Sequence, residues 1–164
     1  VAAFAGEGKD TMLIGLDPLL TPDLLHALAS MGHGDEIAIV DANFPAAACA
    51  RRLVSLDAAG APEVLRAVLS VMPLDHAVAH PARVMQVIGA PEEVPEAVRD
   101  FAGVLGRALG HPFAPRSIDR QQFYDEARRA FAIVRSGERR FYGNILLAKG
   151  VVDAAGRAPR LPGA

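Results

Sequence analysis

The sequence predicts a single α/β domain in which helices and strands alternate and pack as layers. Three observations lead there. Segments with apolar residues at helical spacing alternate along the chain with short β-rich runs. The 164 residues suit one domain, and no internal repeat or linker divides them. Hydrophobic residues make up 51% of the chain, enough for a real core without disulfide or metal staples and too many for disorder.

Thr21-Pro22-Asp23 opens a helix in three ways: Thr caps, Pro suits the first helical position, and Asp favours the positive end of the dipole. Leu24, Leu25, Leu28 and Met31 recur at helical spacing, and Gly32 offers a left-handed stop. Residues 36–40, EIAIV, read as a buried strand. Ala61-Pro62-Glu63 starts a second helix running to about Val71, with Pro73 beyond its end. Arg83 to Ile88 reads as a strand, residues 89–95 as a loop with one Gly and two Pro, and Glu96 to Leu109 as a third helix. Gly110 to Pro115 is a turn region. Gln121 to Ala130 carries Phe123, Ala127 and Ala130 on one helical side. Phe131 to Val134 reads as a strand, Ser136-Gly137-Glu138 as a turn, and Tyr142 to Val152 as the partner strand. Residues 1–11, VAAFAGEGKDT, are short, rich in small residues and unlike the rest of the chain; they read as a leader or vector-derived extension. The domain itself covers 12–152, and 153–164 form a flexible tail.

Composition narrows the function. A net charge of −2 gives no electrostatic reason to expect nucleic acid or an anionic membrane as partner. No apolar run reaches the roughly 18 residues of a membrane helix. One cysteine, Cys49, forbids an intramolecular disulfide and points to a reducing, cytoplasmic setting; it reads as a buried, inert thiol. Gly8-Lys9 fails as a phosphate loop, because Ala3 stands where the first glycine is required and Asp10 replaces Ser or Thr. His76 and His80 have i, i+4 spacing, but no third ligand is in view and Pro81 comes directly after, so no metal is expected.

The chemistry concentrates in "ASMGHGDEIAIVDANFPAAA", residues 29–48. His33 comes after a helix C-terminus and lies between two glycines. It either bonds the last carbonyls of that helix or is presented to a pocket. Asp41 ends the strand run, the place where ligands gather in α/β sheets; it can hold a sugar hydroxyl, orient His33, or serve as a turn residue. Asn43 can donate to and accept from the same ligand. Asp35 and Glu36 read as solvated charges, or Asp35 as a local turn bond. Tyr124 and Tyr142 are the two tyrosines, each either a core residue with its hydroxyl satisfied at an edge or a site residue, and Tyr142-Gly143-Asn144 sets a phenol and an amide beside a glycine that admits close approach.

Three blocks of this sequence resemble the RbsD/FucU family of sugar mutarotases, the fucose branch in particular. They are "LDPLLTPDLLHALASMGHGDEIAIVDANFPA" within Met12 to Ala46, the weaker "VLSVMPLD" at 68–75, and "FYDEARRAFAIVRSGERRFYGNILLAKGV" at 123–151. The resemblance implies an RbsD-like α/β domain with a mixed β-sheet. It implies an isomerase that interconverts the α and β anomers of free L-fucose or a related sugar, with no cofactor and no metal; ribose-type members also interconvert ring sizes. It makes His33 and Asp41 the active-site His and Asp and sets Tyr142 among the tyrosines lining the site; mutarotation needs an acid and a base, and His33 and Tyr142 are read as that pair, either one as the acid. Tyr124 and Asn144 line the site, and Asn43 and Arg120 join the substrate-binding set; some members carry His where Asn43 stands. Arg120 and Glu138 occupy charged positions and are read as structural before catalytic. The family forms ring-like homo-oligomers, decamers in several cases, with sites at subunit interfaces. The rival readings are a sugar-binding module of a transport or utilisation pathway without turnover, a ribose-type pyranase, and a structural oligomer with a relict site.

Overall fold

The computed structural model describes residues 13–159. Its centre is β1 (Glu36–Val40), whose residues Ile37 to Val40 are fully buried. Side chains alternate across a strand, so Ile37 and Ile39 enter one core and Ala38 and Val40 the other. Both faces of the sheet are therefore covered, which is why this stretch is continuously apolar rather than alternating.

Six strands form one sheet in the order β2-β5-β1-β6-β3-β4, with β2 at Leu53–Leu56, β3 at Ala82–Met85, β4 at Arg116–Ile118, β5 at Ala132–Ser136 and β6 at Ile145–Ala148. β6 runs antiparallel to both β1 and β3, and the other pairs are parallel. The sheet is thus mixed, as the resemblance implied. α1 (Pro22–Ser30), α3 (Ala61–Leu69) and α4 (Glu96–Leu109) pack on one face, burying Leu24, Val64, Leu65, Phe101 and Leu105. α2 (Ala46–Cys49) and α5 (Arg120–Arg129) cover the other through Ala46, Cys49, Phe123 and Ala127.

Thr21 caps α1 as expected, its Oγ1 accepting the Leu24 amide at 3.4 Å; Asp119, with no part in the sequence reading, caps α5 by accepting the Gln121 and Gln122 amides. Gly110 closes α4 with φ +77°. Three expectations are corrected. α1 does not end on a left-handed Gly32: it stops at Met31 in extended conformation, and the left-handed residue is Gly34 at φ +81°. The strand expected over Arg83–Ile88 ends at Met85, because the chain turns through a Val87–Ala90 bridge with Gly89 at φ +75°. The strands before and after the Ser136–Glu138 turn are not paired with each other, because β1 lies between β5 and β6. β2, β4 and the one-turn α2 are not foreseen in the sequence. Each has three or four residues, too few for a periodicity to declare itself.

The expected leader, 1–11, lies outside the described residues. The described part of the tail carries a hydrogen-bonded turn, with Asp153 N–H donating to Arg157 O and Asp153 Oδ1 accepting the Ala155 and Arg157 amides. Among the described residues no helix is long and apolar enough to cross a membrane, and no cluster of three metal-ligating side chains occurs.

Candidate active site

Ligand sites in open α/β sheets form beyond the carboxyl ends of parallel strands. Here β1, β3 and β4 deliver Asp41, Met85 and Arg120 to that edge, and β6, being antiparallel, begins there with Asn144 at its entrance. The result is an open cleft of about 330 Å³ lined by Asp41, Asn43, Arg120, Tyr124, Tyr142 and Asn144, with Phe44, Met85, Ile88 and Phe141 as its apolar wall. Its size suits one small polar ring. The cleft therefore gathers six of the seven residues named from the sequence.

Asp41 is 4% exposed and accepts hydrogen bonds at both carboxylate oxygens. Its Oδ1 accepts the Asn43 and Phe44 amides, each at 3.0 Å, so the turn closing β1 is built around its carboxylate. Asn144 pairs with it twice: Asn144 Nδ2 donates to Asp41 Oδ2, and Asp41 N–H donates to Asn144 Oδ1, both at 2.9 Å. That buried pair ties the end of β1 to the start of β6. Burial pushes the Asp41 carboxyl above its ordinary value, against the opposing hydrogen bonds from Asn43, Asn144 and Phe44.

Tyr142 has φ +59°, the one non-glycine with positive φ among the described residues. Such a conformation costs on the order of 1–3 kcal/mol and needs a surrounding structure that enforces it. The enforcement comes from a loop folded around Glu138, which is 6% exposed. Arg140 returns three donors to that carboxylate, its backbone N–H, Nε and a terminal nitrogen, at 2.9–3.0 Å. The same guanidinium reaches Glu96 and Asp100 of α4 at 3.1 and 2.8 Å. Gly143 is required beside it: a Cβ there would meet Glu138 Cγ at 2.6 Å. At the far end of the side chain, the Ile88 amide donates to the Tyr142 phenol oxygen at 3.1 Å. The phenol thus receives a bond from the wall and keeps its own proton to donate into the cleft.

Tyr124 is stacked on Phe44 with ring centroids 5.0 Å apart and planes 15° apart. Arg120 and Arg128 approach its ring at 5.3 and 5.7 Å, so its orientation is set by aromatic and cation–π contact.

His33 is elsewhere. It precedes β1 whereas Asp41 comes after it, and five strand residues span about 16 Å. Asp41 therefore does not orient His33 within one chain. Its partner is Asp75, whose Oδ1 lies 3.1 Å from His33 Nε2. Nor does His33 cap α1: Lys149 Nζ takes that role, donating to Leu28 O at 2.9 Å and to Met31 O. Asp35 makes the local turn bond, accepting the Gly32 amide at 2.7 Å. His33 is left half exposed, its side chain at 50% against 3% for Asp75.

The sequence expectation does not include Asp75 or the Ile88 amide. Asp75 carries a signal in form, since it ends an apolar run as Asp41 does. A backbone donor such as Ile88 N–H leaves no mark in side-chain identity. His76 and His80 form no helical pair, and Cys49 is buried and free.

Comparison with known proteins agrees with this architecture. The model of the RbsD/FucU transport protein family matches residues 14–152. Human fucose mutarotase is 42% identical over 146 residues, covering 85% of this chain and 94% of that protein. The crystal structure of the fucose mutarotase in complex with L-fucose from Streptococcus pneumoniae superposes with a TM-score of 0.80 at 37% identity, covering 86% of this chain and 100% of the other. RbsD of Bacillus subtilis complexed with D-ribose gives a TM-score of 0.63 at 20% identity over 82% of this chain and 95% of that one, a likeness of fold alone.

Proposed function

The chain belongs to the RbsD/FucU family, and on that basis we propose that it is an L-fucose mutarotase, interconverting the α and β anomers of the free sugar. The observation that carries the reading is the cleft at the carboxyl edge of the sheet. There a strained, fixed phenol and a paired Asp-Asn couple surround space for one monosaccharide.

Mutarotation removes the proton from the anomeric hydroxyl and delivers one to the ring oxygen. The C1–O5 bond breaks, the aldehyde rotates about C1–C2, and the ring recloses with the protons returned. The reaction needs a proton acceptor and a proton donor on either side of C1. Tyr142 supplies the donor: its hydroxyl faces the cleft, and the Ile88 N–H is placed to stabilise the oxygen once the proton has left. Asp41 and Asn144 hold sugar hydroxyls, Tyr124 offers a flat face to the sugar's C–H groups, and Asn43 and Arg120 bind from the rim. His33 is the acceptor.

One chain cannot apply His33 and Tyr142 to the same sugar, because they lie at opposite ends of β1. We therefore assign the acceptor to His33 of a neighbouring copy, in a ring-like homo-oligomer. Ile88, 63% exposed, and Phe141, 77% exposed, form an apolar rim that such a neighbour would cover. The setting is cytoplasmic, in keeping with a single unpaired thiol.

The test is saturation-transfer proton NMR on equilibrated L-fucose, with D-ribose and D-galactose alongside. Transfer between the α and β anomeric signals should rise with protein and fade in Tyr142→Phe and His33→Ala. Mixing those two variants should restore exchange, since hybrid rings contain interfaces with both groups intact. Binding of fucose without faster exchange would overturn the reading in favour of a sugar-binding module.

A further inference from the structure

We propose that Asp75 is a positioning residue of the reaction: it holds the Nε2–H tautomer of His33, so that Nδ1 carries the lone pair that accepts the anomeric proton. This inference rests on the mutarotase reading and specifies how its acceptor is prepared.

The geometry is that of a carboxylate set behind an imidazole. Asp75 is 2% exposed, and its Oδ1 faces His33 Nε2 at 3.1 Å while also accepting the Ala77 amide at 2.9 Å. A carboxylate can only accept, so the nitrogen that faces it carries the proton. In the neutral imidazole the other nitrogen, Nδ1, is then the acceptor. Burial opposes the charge on Asp75, but the Ala77 amide and then His33 outweigh it, and the carboxyl sits below its ordinary value; it is ionised at neutral pH.

Both residues are fixed by the backbone that bears them. Asp75 N–H donates to Ala148 O at 2.9 Å, and Gly150 N–H to Pro73 O at 2.8 Å, so the 73–75 segment runs against the end of β6. The approach is close enough to exclude a side chain at 150, where a Cβ would lie 2.3 Å from Leu74 O. On the other side Gly34 N–H donates to Lys149 O at 2.9 Å, and Lys149 N–H donates to Asp35 O at 2.9 Å. The 148–150 segment therefore braces the turn carrying His33 and the segment carrying Asp75 against one another. The arrangement is an exposed ring backed by a buried, immobile carboxylate. A solvated surface ion pair would have both partners exposed and would fix no tautomer.

The experiment reads the tautomer and the rate separately. Long-range 1H–15N spectra of the imidazoles, at pH 8.5 where imidazoles are ordinarily neutral, resolve protonated from unprotonated ring nitrogens. The chain has five histidines, and the His33 signals are those lost in His33→Gln. The wild type should show His33 as the Nε2–H form. Asp75→Asn keeps the size of the side chain but can donate as well as accept, so it should admit the Nδ1–H form. That change should lower the saturated anomer-exchange rate by about 100-fold or more, a typical general-base contribution, with KM unchanged within about twofold. A His33 in the Nδ1–H form in the wild type, or a tautomer unmoved by Asp75→Asn, would overturn the proposal. So would Asp75→Asn retaining the wild-type exchange rate. Should the variant not fold, the wild-type spectrum alone still decides the tautomer. A wild type that shows the expected tautomer but no catalysed exchange would instead overturn the mutarotase reading, and the positioning role with it.

Discussion

Replacing Asn144 by Ala probes the pair that joins β1 to β6. The change removes two hydrogen bonds at once, each of 2.9 Å and each buried. The Asp41 amide loses its acceptor, which costs about 1–3 kcal/mol for a buried donor left unpaired. Asp41 Oδ2 loses a charge-assisted bond worth about 1.5–3 kcal/mol. The cleft is open to water, and a water entering the vacated space would return part of this. A loss of about 3–4 kcal/mol is expected, with weakened fucose binding as its companion. The assay is urea unfolding at pH 7, wild type and variant at equal protomer concentration, because association contributes to apparent stability. Asn144→Asp is the control that conserves volume while exchanging a donor for an acceptor. Two adjacent carboxylates cannot both stay ionised there, so its deficit should shrink as the pH is lowered from 7 toward 5 and one of them takes a proton to donate. A loss below about 1 kcal/mol for Asn144→Ala, or an Asn144→Asp deficit independent of pH, would refute the claim that this pair bridges the two strands energetically.

Arg140→Ala should leave the buried Glu138 carboxylate without its main partner and cost about 2–3 kcal/mol in the same assay. Hydrogen bonds from the Arg140 side chain, foremost, hold the Glu138 carboxyl below its ordinary value. The stability this contributes is fully present above the unfolded-state glutamate value and is lost as pH falls through the folded value. The acid limb of a stability-against-pH curve should therefore flatten in the variant; an unchanged limb would count against the clamp. Asp41 titrates with the opposite sign. Burial raises its folded-state value, so the folded protein binds the proton more readily than the unfolded chain, and ionisation of Asp41 subtracts stability as pH rises. A 13C carboxyl titration should place its midpoint above the ordinary aspartate value of about 3.9, and a midpoint below that would contradict the dominance of burial.

Much of this molecule is written locally. α1, β1, α3 and α4 are legible because each carries a long enough period or a distinct cap: Thr21-Pro22 at one start, Gly110 at one stop. Asp41, Tyr142 and Asn144, which the structure places around one cleft, stand out locally through a strand end and a Tyr-Gly-Asn. What stayed hidden depends on strands meeting out of chain order. Nothing in the 131–148 stretch announces that β1 inserts between β5 and β6. The separation of His33 from Asp41 is implicit in EIAIV, since a five-residue strand keeps its two ends apart, although closeness in sequence alone suggests a shared site. The pairing of His33 with Asp75 spans 42 residues and has no periodic signal at all.

The position of β6 bears on how the chain can be made. β2, β5 and β1 form one half of the sheet, β3 and β4 the other, and β6 is the keystone between them. It is also the last of these six strands in chain order. Until residues 145–148 emerge, each half presents a bare inner edge, and unpaired edges invite wrong partners. Without β6 the six-stranded sheet cannot close, and its closure brings Asn144 to the cleft.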